Sequence, residues 1–244
     1  MKDLTIREKA KNFGKGLLTI GLYFLMPIFF SSVALVFIRT LNLDIENFWV
    51  NNFANLFVSL SSLAILLVMF YDRLKEEWAI FKKNKKGFLK TGAIYWICGL
   101  GIMSLTSNII GRLIDPAGIS ANEAANYGIM QSIPIYAIIA IIFTGPIIEE
   151  IVFRASFKNS ISNSKVFALI TGLFFAAIHL MASFESFSDI ATNWTQLLYI
   201  IPYGALGVSF GLAYHKTKTI FTTISFHILH NFILTTILYL SWSM

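Results

Sequence analysis

Charge and cysteine are both scarce in this sequence, and each shortage narrows what the chain can be. Charged residues make up 13% of it, against the ~25% usual for soluble domains, while 56% are hydrophobic and the mean hydropathy is +0.69. A water-soluble globule of 244 residues could not cover its surface with so little charge. The single cysteine, Cys98, lies inside an apolar run. It excludes an internal disulfide and reads as a small buried residue rather than a thiol nucleophile. Internal repeats and low-complexity segments are absent.

What is present is a series of apolar runs of membrane-spanning length, for which about 20 residues are needed. Seven spans are expected: Gly16 to Ile38 with Pro27 inside it, one within Asn47 to Tyr71, Thr91 to Gly111, Ile133 into Glu149-Glu150, Val166 to Met181, Gln196 to Tyr214 with Pro202, and Thr219 to Leu240. The predicted fold is therefore an all-α polytopic membrane protein with about seven transmembrane helices and a C-terminal four-helix core. The basic residues up to Lys15 look like a signal n-region. The apolar stretch behind them, however, exceeds an h-region and lacks a small-x-small cleavage site, so a retained first span is expected.

The net charge of +6 does not point to nucleic acid, because the basic residues sit in short connections between apolar runs. With the N-terminus inside, 17 of the 19 Lys and Arg fall on inner segments, and only Arg39 and Arg112 fall outside. The expected location is the cell membrane, multi-pass, with the N-terminus cytoplasmic and the C-terminus outside. Lys82 to Lys86 could touch anionic lipid, although a topology signal is the simpler reading. The polar stretch Asp72 to Lys90 reads as a connection. Between Arg112 and Ser132, Asp115-Pro116 and Gly118 signal a turn, and Ser120 with Glu123 has capping-box spacing for a short interfacial helix.

Ionisable groups inside a bilayer are costly and mark function by default. The first three spans contain no Asp, Glu, Lys, Arg or His, whereas the later ones supply Glu149, Glu150, Arg154, His179, His227 and His230. Glu150 and Arg154 are four apart and so pair on one helix face. Glu149, turned by about 100°, faces elsewhere, towards a cavity. The bland alternative is the wet end of a span. Phe175 and His179 share a face by the same spacing, as do His227 and Asn231. His230, three residues from His227, reads as supporting. Taken singly, a spanning histidine is often a structural hydrogen-bonder, and an asparagine a cap or interhelical contact.

Glu-Glu-x-x-x-Arg, Phe-x-x-x-His and His-x-x-x-Asn, in this order on successive spans, resemble the CPBP family. That family takes in the CAAX proteases and bacteriocin-processing enzymes and is also called Abi. The resemblance covers roughly Ile133 to Tyr239. It implies an intramembrane endopeptidase, a hydrolase in which Glu149 and His179 activate water while His227 and Asn231 hold the oxyanion. Glu150, Arg154, Phe175 and His230 would support them. No cofactor is expected. Zinc held by Glu149, His179 and His227 is the alternative, although His-Glu-x-x-His is absent.

The division expected is a membrane scaffold with an external loop over residues 1–132 and a peptidase core over 133–244. The expected partners are the lipid bilayer and a membrane-associated peptide or propeptide, with a role in bacteriocin maturation or self-immunity and a site opening towards the cytoplasmic half. Two competing readings remain: a non-catalytic membrane regulator binding another membrane protein, and a proton-coupled transporter. The absence of paired repeats counts against the transporter.

Overall fold

A computed structural model describes residues 4–115, 118–184 and 188–242; Pro116 and Glu185 lie outside them. The described residues are helical throughout, joined by short turns. In chain order the longer helices are α1 (Ile6–Thr40), α2 (Phe48–Met69), α3 (Tyr71–Lys83), α4 (Lys85–Leu113), α5 (Ala121–Ser132), α6 (Pro134–Ala155), α7 (Ser164–Leu180), α8 (Trp194–Thr217) and α9 (Ile220–Trp242). Six of them, α1, α2, α4, α6, α8 and α9, are long and apolar enough to cross a membrane. The fifth of the seven expected spans, α7, has 17 residues and is shorter than the rest.

Large apolar side chains cover the outside of the bundle. Leu18, Ile28, Phe29 and Phe37 on α1, and Val68 on α2, are more than half exposed, as lipid-facing residues must be. Cys98 is exposed on α4, which corrects the expectation of a buried cysteine: the apolar run around it faces the surroundings of the bundle rather than its core.

Several elements follow from local chemistry. α1 begins ten residues before the expected span because Thr5 and Glu8 form a reciprocal capping box. The helix then continues through Pro27. Ser120 and Glu123 form a second capping box that starts α5, and Gly118 turns the chain into it with φ 73°. Pro202 falls in the first turn of the α-helical part of α8, where a missing N–H costs nothing.

The stretch expected as a connection, Asp72 to Lys90, is instead helical, forming α3 and the start of α4. Its apolar residues recur at helical spacing among the charges. Trp78 packs against Phe81 and Phe221. On the same helix, buried Glu77 accepts from Tyr214 Oη and from Ile220 N, both at 2.8 Å, and pairs with Lys158 Nζ at 2.9 Å. A polar helix is thereby clamped onto the bundle end.

Two packing features position the interior. Helices α7 and α8 run antiparallel along their length, with Phe167 against Tyr214 at one end and His179 against Tyr203 at the other. Small residues allow this approach: a Cβ added at Gly207 would lie 3.0 Å from Gly172 Cα, and one at Gly211 would lie 2.8 Å from Ala168 Cα. Helix α6 carries two π-helical turns, Ala140–Thr144 and Ile151–Ala155, on either side of Gly145–Glu150. Such turns reorient side chains and concentrate at functional sites.

Candidate active site

The first π-turn lies one helical turn before Glu149 and Glu150. In the i→i+5 register, Gly145 N–H bonds Ala140 O, and residue 146 would donate to Ile141. Residue 146 is proline, so that carbonyl has no donor from its own helix. Asn231 supplies one: its Nδ2 donates to Ile141 O at 2.7 Å. Gly145 leaves space beside this turn, since a Cβ there would sit 2.8 Å from Ala140 O and 3.8 Å from Glu149 Oε1.

Glu150 and Arg154 form a fully buried pair at 3.1 Å. Arg154 also donates to Gly207 O at 3.1 Å, and its guanidinium lies 4.7 Å from the Phe175 ring centroid. Glu150 Oε1 accepts from His227 Nδ1 at 3.0 Å. The opposite ring nitrogen, His227 Nε2, lies 3.6 Å from Glu149 Oε2. One imidazole therefore stands between the two carboxylates, and Arg154 neutralises the inner one. Glu149 Oε2 is buried and accepts no hydrogen bond from the described residues.

His179 joins this group through Phe175. Its Nδ1 bonds Phe175 O at 2.8 Å, which fixes the Nδ1–H tautomer, because a carbonyl can only accept. Nε2 is left as the available nitrogen. The imidazole is sandwiched between Phe175 at 4.3 Å and Tyr203 at 4.7 Å. Phe175 also meets His227 edge-on at 5.6 Å. His230 turns away from the carboxylates, and its Nδ1 lies 3.5 Å from Trp96 Nε1.

Two adjoining cavities meet at these residues. One, of about 530 Å³, is lined by Phe175, His179, Tyr203, His227, His230 and Asn231 among others. The second, of about 630 Å³, is lined by Tyr23, Ser59, Thr144, Glu149, His179 and Asn231 among others. Asn122 and Asn126 of α5, together with Ile141, His179 and Asn231, line both. Both cavities lie towards the end of the bundle where α5 sits. On the opposite side Glu150 through Ala155 pack with almost no exposure.

Several participants carry no motif. Tyr203 stacks on His179, and its hydroxyl is held by Ser120 Oγ at 2.7 Å and Asn122 Nδ2 at 3.3 Å. Asn122 and Asn126, four apart on a helix expected only as interfacial, present amides to the cavities; their spacing was the available signal. Among the described residues, no three His, Cys, Asp or Glu side chains come together as a metal site requires. Glu149 Oε2 and His227 Nε2 are 3.6 Å apart, and no metal is assigned to them.

The fold and site together define a polytopic α-helical membrane protein with a carboxylate–imidazole centre buried in its bundle. Residues 131–233 match the family described as type II CAAX prenyl endopeptidase Rce1-like. The chain is also 28% identical over 115 residues to "Putative membrane peptidase YdiL" of Bacillus subtilis (strain 168), a match covering 46% of this chain and 41% of that protein. The chain therefore matches less than half the length of this curated relative. No solved structure matches significantly. Over residues 131–233 the chain is thus similar to the Rce1-like family, in keeping with the CPBP group that the three motifs resemble.

Proposed function

We propose that this chain is an intramembrane endopeptidase that hydrolyses a peptide bond with a water activated by Glu149. The observation that carries the reading is the position of Glu149. Its carboxylate faces the cavity junction, 3.6 Å from His227 Nε2, with one buried oxygen that has no hydrogen-bond partner among the described residues. A carboxylate so placed is a base waiting for a donor.

Glu149 takes a proton from water as the oxygen attacks the carbonyl carbon, and the carbonyl π electrons move onto its oxygen. His179, fixed by Phe175 O with Nε2 available, orients the water. The oxyanion is held by the second N–H of Asn231, whose first is given to Ile141, and by His227 when Nε2 carries a proton. As the C–N bond breaks, Glu149 returns the proton to the leaving amine, giving a carboxylic acid and an amine. Glu150 and Arg154 act by positioning: they hold His227 Nδ1 and so aim Nε2 at Glu149. His230, held near Trp96, supports the helix that carries His227.

The same reading divides the chain into a scaffold over 1–132 and a core over 133–244. The scaffold still lends walls to the site through Tyr23, Ser59 and α5. The substrate is a membrane-associated peptide or propeptide, and a role in bacteriocin maturation or immunity is one setting for it.

Comparative peptidomics of membranes from cells carrying wild type or Glu149→Gln tests this. Peptides that shorten only with Glu149 present are expected, with equal amounts of folded protein. Identical peptide pools in both strains would refute hydrolysis.

A further inference from the structure

We infer that a lysine-lined cavity at the end of the bundle opposite α5 binds a phosphate group, carried by an anionic lipid headgroup or free in solution. The site is separate from the motif residues and does not rest on the peptidase reading.

The cavity, of about 550 Å³, forms where segments far apart in the chain meet. Lys9 comes from the first turns of α1, Glu76 from α3, Lys158 from the connection of α6 to α7, and Lys218 from the turn between α8 and α9. Phe167 and Tyr214, in contact at one end of the α7–α8 pair, line it, whereas His179 and Tyr203 mark the other end. It shares no residue with the two cavities at the candidate active site.

The charges around it do not cancel. Lys158 Nζ is 2.9 Å from Glu77 and 4.0 Å from Glu76. Lys9 and Lys218 form no ion pair among the described residues. Three ammonium groups therefore meet two carboxylates, which leaves unmatched the charge that one phosphodiester carries. The fold fixes Lys218 in this position. Its backbone is left-handed, with φ 58°, at the end of α8, and its Nζ donates to His215 Nδ1 at 3.3 Å. Burial first, and the charge of Lys158 second, lower its pKa. An anion beside these ammonium groups would relieve their repulsion.

The depth of the cavity suits a headgroup. Lys9 precedes the apolar run of α1, and Lys158 and Lys218 follow the ends of α6 and α8. The ammonium groups thus stand where the spanning helices leave the hydrocarbon. Leu4, Ile80 and Ile161 supply an apolar wall beside them. Basic pockets between spanning helices take phosphate-bearing headgroups. Lys82 and Lys86, by contrast, are exposed and line no part of this cavity.

Binding to the intact protein in detergent tests the inference with two probes, dioleoyl-phosphatidylglycerol and inorganic phosphate. Their controls are dioleoyl-phosphatidylcholine and chloride at matched ionic strength. Native mass spectrometry measures retained lipid, and the unfolding midpoint reports both probes. Wild type is expected to retain phosphatidylglycerol in preference to phosphatidylcholine and to unfold at a higher temperature with it. Lys9→Gln and Lys218→Asn each remove an unpaired ammonium group, and asparagine tolerates the left-handed backbone at 218. Apparent affinity should fall about five-fold in each single variant and about thirty-fold in the double. Lys82→Gln with Lys86→Gln removes equal charge and should cost less than about two-fold. A midpoint raised by inorganic phosphate and not by phosphatidylglycerol, with the same loss in the cavity variants, would support the site and make its ligand soluble. No response to either probe, or a loss in the cavity variants no larger than in the Lys82 and Lys86 pair, would overturn the inference.

Discussion

Asn231 Nδ2 donates to the carbonyl of Ile141, 90 positions earlier in the chain, at 2.7 Å. The bond supplies a donor that Pro146 cannot give to the π-turn of α6. A motif residue read from sequence as an oxyanion donor thus also has a structural task.

Removing that donor should expose the dependency. Asn231→Ala leaves the Ile141 carbonyl unpaired in a part-buried position, at a cost of about 1–3 kcal/mol. Pro146→Ala restores a backbone N–H to the same turn. Thermal unfolding in detergent is expected to show Asn231→Ala lowered and the double variant partly recovered. Additive losses would mean that proline and asparagine are not linked through this carbonyl.

The Glu150–Arg154 pair has both partners at 0% exposure, so breaking it from one side strands a charge. Arg154→Met should cost about 3–5 kcal/mol, while Glu150→Gln combined with Arg154→Met should cost less than either alone predicts. Arg154→Lys would not rescue, because a lysine cannot serve Glu150, Gly207 O and the Phe175 ring together. Unfolding midpoints of wild type, the two single variants, the double variant and Arg154→Lys decide this.

Much of the architecture was legible before coordinates. The apolar runs gave the helices, and the Ser120–Glu123 spacing gave the start of α5, because capping is local chemistry. The i, i+4 spacing likewise anticipated that Glu150 could meet Arg154. The first π-turn was not legible, since it abuts a proline whose lost bond is repaired from a distant helix. Nor was α3, whose charges masked an apolar face that closes on Phe221. Tyr203 escaped because an aromatic in an apolar helix looks like core until its neighbour proves to be a histidine. The opening of the site depends on which helix ends enclose empty space, and no spacing rule encodes that.

Glu77 offers a test far from the chemistry. Its carboxylate accepts from Tyr214 Oη and from Ile220 N at the first turn of α9, and it pairs with Lys158. Glu77→Ala is expected to destabilise by about 2–4 kcal/mol through the unpaired lysine and tyrosine. Protease nicking near α3 should rise. An unchanged unfolding midpoint would show that this clamp contributes nothing.

Metal removal distinguishes the two chemistries most directly. The proposed reaction needs Glu149 as base and His179 as orienter, and the described side chains form no three-donor metal cluster. Prolonged chelation should therefore change the turnover of a Glu149-dependent peptide by less than about two-fold, against the near-complete loss expected where a metal generates the nucleophile. Loss on chelation followed by recovery with zinc would mean that Glu149, His179 and His227 rearrange to hold an ion. A metal-independent enzyme predicts no zinc in the wild-type protein or in Glu149→Gln after dialysis, as measured by elemental analysis.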